Sequence, residues 1–311
     1  VGKAKERILV IRLGALGDMV FCFQAFHDIR QAHPDADIAL LVRAPFVSLA
    51  EKMPWFDRLI IDTHPTIKQP GVWMRLVAEI KAFGPTRVYD LQGKRRQSIL
   101  FALLGGPFGP QWSGAVPLCH FPRLWPPLPT MSFRQFLAAQ LKVAGVSSHS
   151  PASVTWLDAP PRDFSLPQRY IILVPGSSPA APQKRWSAQK FAELADLLKH
   201  QGITSLVVGT KMDAEVIASI QAATHNVRDM SGQTDIFELA HLLRHASAVI
   251  GNDTGPVHMA GALGTVTLAL FSRLSSPIWS TPPGDKVTVL QKPDLNDLSV
   301  QEVFATLTKQ T

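Results

Sequence analysis

The sequence is poor in cysteine, tyrosine and charge. Its 311 residues hold two cysteines and two tyrosines, and charged residues make up 18% against 46% hydrophobic ones. Cys22 and Cys119 show no metal-type spacing and make no disulfide framework, so a reducing cytoplasm is the simplest setting. So low a charge with so much apolar material excludes a disordered chain and is enough for real cores. Uninterrupted membrane-length runs are also missing. Gln97–Pro122 and Thr254–Ser272 lack Asp, Glu, Lys and Arg, but prolines and glycines break both into shorter elements, so no transmembrane helix is expected. The first residues are basic and then apolar, yet Arg12 and Asp18 interrupt the run, which makes a poor signal peptide. Two nucleotide signatures are absent as well: no G-x-G-x-x-G, and no Gly-Lys-Ser/Thr to close a Walker A loop. No metal or other cofactor is expected.

The net charge is +7 and the pI about 9.6, which favours anionic partners: phosphorylated metabolites, an anionic membrane surface or nucleic acid. Nucleic acid has no matching motif, and the basic residues are spread out. Short β-branched runs alternate with amphipathic stretches. Strands are expected at 7–12, 37–42, 58–62, 87–91, 170–174, 204–208, 248–251 and 266–271. Helices are expected at 19–32, 72–83, 97–104, 187–200, 213–223, 235–245, 257–263 and 300–308. Strand–helix alternation implies an α/β fold with parallel sheets. The Ser- and Pro-rich stretch from 147 to 168 reads as a connection. The expected layout is therefore an N-terminal Rossmann-like domain over residues 1–150, a linker over 151–168 and a C-terminal one over 169–311, with the last helix free to return to the first domain. Ligands of such sheets bind at the carboxyl ends of the strands.

Four motifs follow strands. Leu13-Gly14-Ala15-Leu16-Gly17-Asp18 places a carboxylate near a helix start, where Asp18 serves either as an N-cap or as a base or substrate-orienting group. Asp90-Leu91-Gln92-Gly93-Lys94-Arg95-Arg96 puts cations beside the positive end of a helix dipole, a poor structural choice that favours a role toward an anion. Val174-Pro175-Gly176-Ser177-Ser178, followed by Lys184 and Arg185, offers hydroxyls, amides and cations to phosphate oxygens; the alternative is an ordinary loop. In Gly251-Asn252-Asp253-Thr254-Gly255-Pro256-Val257-His258, Pro256 suits the first helical position, and the loop amides and helix dipole make an anion site. There Asp253 as a cap and His258 as a structural histidine are the alternatives. Two further features read as structural. Asp35-Ala36-Asp37 is a D-x-D in a turn before a strand, and Pro117–Pro129 is a Pro-rich surface loop.

The ordered set GALGD, DLQGK, PGSS…KRW and NDTGPVHMAGALG resembles glycosyltransferase family 9, the heptosyltransferases of lipopolysaccharide inner-core assembly. The likeness runs from about Arg7 to the last helix. It implies a GT-B fold, two Rossmann-like parallel-sheet domains facing a cleft, and an inverting, metal-free transfer from a nucleotide-diphosphate sugar, usually ADP-heptose. Carried onto this sequence, it makes Asp18 the catalytic base and Lys184 the phosphate-binding lysine. Asp253, Thr254, Gly255 and His258 form the donor loop with Gly176, Ser177 and Ser178, and Asp213 binds the ribose. The stretch from Met230 to Thr234 would line the base pocket. Gly14, Gly17, Gln92, Gly93, Lys94 and Arg95 fall on the acceptor side. The implied partners are a nucleotide-sugar donor, a lipopolysaccharide or other glycan acceptor, and the cytoplasmic face of the inner membrane, touched peripherally. The rival readings are an epimerase-like enzyme of the same fold and a non-catalytic nucleotide- or glycan-binding protein.

Overall fold

The computed structural model describes residues 5–66, 68–124, 126–157, 162–177 and 182–310. The chain divides after Trp156 into two compact units. In the first unit the strands are β1 (Arg7–Ile11), β2 (Asp37–Arg43), β3 (Arg58–Asp62), β4 (Arg87–Asp90), β5 (Gln111–Gly114) and β6 (Phe121–Pro122). Its helices are α1 (Leu16–Ala32), α2 (Val47–Glu51), α3 (Pro70–Phe83), α4 (Arg95–Leu103) and α5 (Phe133–Val143). All strand pairs are parallel, in the order β3-β2-β1-β4-β5-β6. Every residue of β1 but the first is buried, as are the middle five of β2, near-continuous burial that marks strands covered on both faces. Leu9, Ile11, Ala39 and Leu41 pack against Trp73, Val77 and Ile80 of α3.

The second unit repeats the plan. Its strands are β7 (Tyr170–Val174), β8 (Thr204–Val207), β9 (Val227–Asp229), β10 (Ala248–Asn252), β11 (Thr267–Phe271) and β12 (Val287–Gln291). Its helices are α6 (Ala188–His200), α7 (Ala214–Ala223), α8 (Ile236–His245), α9 (Gly255–Ala262), α10 (Pro277–Ser280) and α11 (Val300–Thr308). The order is β12-β11-β10-β7-β8-β9, again all parallel. The closing helix α11 buries Val300, Val303 and Leu307 in the core of this second unit, together with Leu194, Ala195 and Leu198 of α6. Its apolar face is thus used within its own unit.

Each order reverses direction at one place, between β1 and β4 in the first sheet and between β7 and β10 in the second. At such a switch point the helices that follow the two strands lie on opposite faces, and the loops part to leave room for a ligand. The four motifs follow these four strands. GALGD leaves β1, DLQGK leaves β4, PGS leaves β7 and NDTG leaves β10.

The Pro-rich stretch expected as a surface loop contributes to the sheet instead. Phe121 and Pro122 pair with Ser113 and Gly114, and Arg123 is buried. A proline fits there because β6 is an edge strand. The Ser- and Pro-rich connection is also partly ordered. Ala152 N–H donates to Gln24 Oε1, and Trp156 packs edge-on against Phe23 and Trp55, so this part belongs to the first unit. In the D-x-D, Asp37 opens β2 and is clasped by Arg58 at 2.5 Å, a structural ion pair.

Candidate functional site

In the first unit, Arg12 leaves the end of β1 pointing into protein and is buried. Its Nη1 donates to Leu91 O at 2.7 Å and its guanidinium lies 5.2 Å from the centre of the Phe133 ring. Its Nη2 meets Asp18 Oδ1 at 3.0 Å. Asp18 is the third residue of α1, and the N-cap position is Ala15, which has no side-chain cap. The N-cap role is therefore excluded, and the carboxylate turns back over the preceding loop. Gly14 makes this possible: a Cβ there would stand 2.2 Å from Asp18 Oδ2. Gly17 is buried in the first turn of α1.

The second motif is tied to the first. Gln92 Oε1 accepts from Leu13 N at 2.9 Å, while Asp90 Oδ1 accepts from Gln92 N and Gly93 N. Asp90 is fully buried, and burial pushes its carboxyl above the usual range against the pull of the two amides, Arg123 and Arg12. Arg123 and Gln140 hold this loop from below, both donating to Asp90 O. Lys94 and Arg95 are exposed at the head of α4. Arg96 is not available with them. It pairs with buried Asp62 at 2.7 Å and stacks 4.3 Å over Trp73.

In the second unit, Asn252 at the end of β10 is completely buried and acts as a clip. Its Oδ1 accepts from Trp186 N at 2.9 Å and its Nδ2 donates to Pro175 O at 2.7 Å. Trp186 is itself buried, with Nε1 donating to Leu298 O at 3.0 Å. This indole anchor fixes the segment that carries Lys184 and Arg185. Lys184 Nζ lies 2.9 Å from Asp253 Oδ2, which also accepts from Ser275 Oγ at 2.7 Å. His258 Nε2 reaches Asp253 Oδ1 at 3.0 Å. Burial works against the charge on Asp253, but the hydrogen bonds from His258, Lys184 and Ser275 outweigh it and hold the carboxyl well below the usual carboxylate range.

Helix α9 begins at Gly255, one residue before the proline expected to open it, with Thr254 in the N-cap position. Thr254 Oγ1 donates to Asn252 O, while Val257 N and His258 N donate to Thr254 O. Pro256 has no N–H, which leaves Gly255 N–H as the first-turn amide without a partner among the described residues. Arg185 Nε donates to Ser177 Oγ at 3.0 Å, so the Gly-Ser turn is clasped to the lysine segment. Ser178 lies outside the described residues. Asp213 follows β8, and its Oδ2 accepts from Thr210 N and Oγ1. Its other oxygen abuts the Gly-Ser turn: a Cβ on Gly176 would stand 2.4 Å from Asp213 Oδ1. Met230 and Gly232, on the stretch expected at the base pocket, carry the β8 pairing onward through bonds to Val207 O and Gly209 O.

The structure thus brings Lys184, Asp253, His258 and the Thr254–Gly255 turn into one cluster, sets Ser177 and Gly176 beside it, and adds Asp213 to Gly176. Arg12, Asn252 and Ser275 escape sequence reasoning. Arg12 alone left a signal there, as a cation ending an apolar strand.

Residues 73–304 match the sequence model of glycosyltransferase family 9 (heptosyltransferase). The chain belongs to this family. It is 24% identical over 310 residues to lipopolysaccharide heptosyltransferase 2 of Salmonella typhimurium, covering 92% of this chain and 88% of that protein. It is 32% identical over 115 residues to lipooligosaccharide heptosyltransferase 2 of Haemophilus influenzae, a match covering 35% of this chain and 33% of the relative. Its fold is that of E. coli ADP-heptose lps heptosyltransferase II, with a TM-score of 0.78, 22% identity and 98% of each chain covered. Two Rossmann-like parallel-sheet units are the GT-B fold class, and family 9 membership makes the chain a glycosyltransferase. No helix among the described residues is long and apolar enough to cross a membrane.

Proposed function

We propose that this family 9 enzyme transfers a heptose, with inversion, from ADP-heptose to a lipopolysaccharide core-type acceptor. The acceptor hydroxyl attacks the anomeric carbon, the new C–O bond forms as the bond to the diphosphate breaks, and Asp18 takes the hydroxyl proton. The diphosphate leaves toward Lys184, the Gly255 amide and the Gly176–Ser177 turn, preorganised donors for a developing anion. Asp253 and His258 hold Lys184, and Asp213 receives the ribose. Gly14, Gly17, Gln92, Gly93, Lys94 and Arg95 form the acceptor side, where two exposed cations suit an anionic sugar. Residues 1–150 carry that side and residues 169–311 the donor side.

One observation carries this reading. The switch point of the first sheet presents a half-exposed carboxylate, and that of the second an ammonium beside an open helix amide. A base for a hydroxyl and a cation for a departing diphosphate are what the transfer needs. The relatives, an ADP-heptose lps heptosyltransferase and a lipopolysaccharide heptosyltransferase among them, suggest the sugar and the acceptor class. Net positive charge suits a peripheral seat on anionic lipid at the cytoplasmic face of the inner membrane. No group of three or more His, Cys, Asp or Glu among the described residues could hold a metal ion, so transfer is expected to continue in a chelator. The test is a panel of nucleotide sugars presented with truncated lipopolysaccharide acceptors, with and without chelator. Transfer from ADP-heptose in both conditions is expected. Failure with every acceptor while ADP binds would return the chain to a binding role, and loss restored by a metal alone would remove the metal-free step.

A further inference from the structure

A buried guanidinium must be neutralised, and its partner is then held as firmly as the guanidinium itself. Arg12 is 4% exposed and is fixed three ways, by Leu91 O, by the Phe133 ring and by Asp18. Asp18 is its one ion-pair partner among the described residues. Asp90 also feels the charge of Arg12, but its carboxyl is pushed up by burial and makes no ion pair with it. The planar fork of Arg12 spans two acceptors at once, Leu91 O on the β4 loop and Asp18 on α1, which a lysine point charge cannot do. Gly14 completes the arrangement, since any side chain there would push the Asp18 carboxylate off its seat.

We infer that Arg12 is a positioning residue for the transfer: its fork, with the space left at Gly14, fixes the Asp18 carboxylate where it meets the acceptor hydroxyl. This rests on Asp18 being the base. The ion pair holds one carboxylate oxygen and leaves the side chain 45% exposed, within reach of a hydroxyl. A displacement of about 1 Å at a reacting group costs roughly 10²-fold in rate, which sets the size of effect expected.

The experiment is a double-mutant cycle on the full chain. Single-turnover transfer from ADP-heptose to truncated lipopolysaccharide is read beside ADP affinity and thermal melting. Arg12→Met is expected to slow turnover by about 10²-fold, with ADP affinity unchanged, because the donor contacts belong to the other unit. Arg12→Lys is expected to recover part of that loss. In the Asp18→Asn background Arg12→Met is expected to add nothing, because no base is left to position. An equal further loss in that background would overturn the inference and make Arg12 merely structural; so would normal turnover in a folded Arg12→Met. If Arg12→Met does not fold, Gly14→Ala decides, since it displaces the carboxylate with Arg12 in place. It is expected to slow turnover comparably with Asp18 present and to add nothing in Asp18→Asn, and a normal rate would overturn the inference. Failure of the underlying reading is distinct, because it shows as normal turnover in Asp18→Asn alone.

Discussion

The two switch points are built with opposite polarity. In the first unit the buried partner is a cation and the presented one an anion: Arg12 is 4% exposed and Asp18 45%. In the second the buried partner is an anion and the presented one a cation: Asp253 is 9% exposed and Lys184 23%. Each pair has a member locked by the fold. Leu91 O and the Phe133 ring hold Arg12, and Ser275 with His258 holds Asp253. On the proposed reading, the buried charge sets where the opposite, accessible charge stands, so one fold plan repeated twice offers a base in one unit and a phosphate-binding cation in the other.

The comparison breaks first at Asp18. Asp18→Asn keeps the size and removes the charge, and turnover is expected to fall roughly 10²–10⁴-fold, the usual contribution of a positioned base. Because Asp18 is the countercharge of a buried guanidinium and not a helix cap, stability is expected to fall too, by about 1 kcal/mol for a pair whose anion is half exposed. A melting curve and a single-turnover rate separate the two effects. Normal turnover with a lowered melting temperature would leave Asp18 as countercharge only.

Next comes Lys184→Ala. Lys184 is not part of the hydrophobic core, and His258 and Ser275 remain as partners of Asp253, so the fold should persist. A charge-assisted hydrogen bond is worth about 1.5–3 kcal/mol, so ADP is expected to bind roughly 10–100-fold more weakly, measured by calorimetry. Asp213→Asn probes the same unit from the ribose side. It removes the carboxylate and leaves the Gly176–Ser177 turn in place, so a several-fold loss of ADP affinity is expected while the affinity for inorganic pyrophosphate, which has no ribose, holds. Equal losses for both probes would place Asp213 outside the ribose site.

Strands with continuous apolar runs were legible in the sequence. Arg58–Asp62, Tyr170–Val174 and the closing helix at Val300–Thr308 lie where the pattern puts them. Four strands away from the sheet centres were not. Gln111–Gly114, Phe121–Pro122 and Val227–Asp229 are short, polar or proline-bearing, Val287–Gln291 follows a Pro-Pro-Gly stretch, and all four become strands because a neighbouring strand is there to pair with. Helix α5 was likewise missed among serines and prolines, although Ser132 and Gln135 form a capping box at its start. At the candidate site, residues on strand-to-helix loops stood out because Gly marks a close approach of the backbone and Lys is a poor choice beside a helix N-terminus. The groups that hold them did not. Asn252 and Ser275 act through side-chain hydrogen bonds that no spacing announces, and the role of Arg12 depends on Asp18 folding back over Gly14.

The smallest effect distinguishes the two buried charges by their titration. Acid adds protons and so cannot neutralise a cation such as the first unit's buried guanidinium. It can neutralise Asp253. Its carboxyl is held well below the usual range in the folded state, against burial, by His258, Lys184 and Ser275, and returns to about 3.9 on unfolding. A depressed folded value means that the unfolded chain takes the proton first. The stabilisation is therefore complete above the unfolded value and is lost as pH falls below it toward the folded value. From about pH 4 downward the second unit should weaken ahead of the first. Hydrogen exchange at pH 5 and pH 3 is expected to show protection falling earlier around β10 and α9 than around β1 and α1. Asp253→Asn should flatten this dependence, because the amide has no proton to gain. If the first unit opened first in acid, the polarity drawn between the two switch points would no longer explain which half yields.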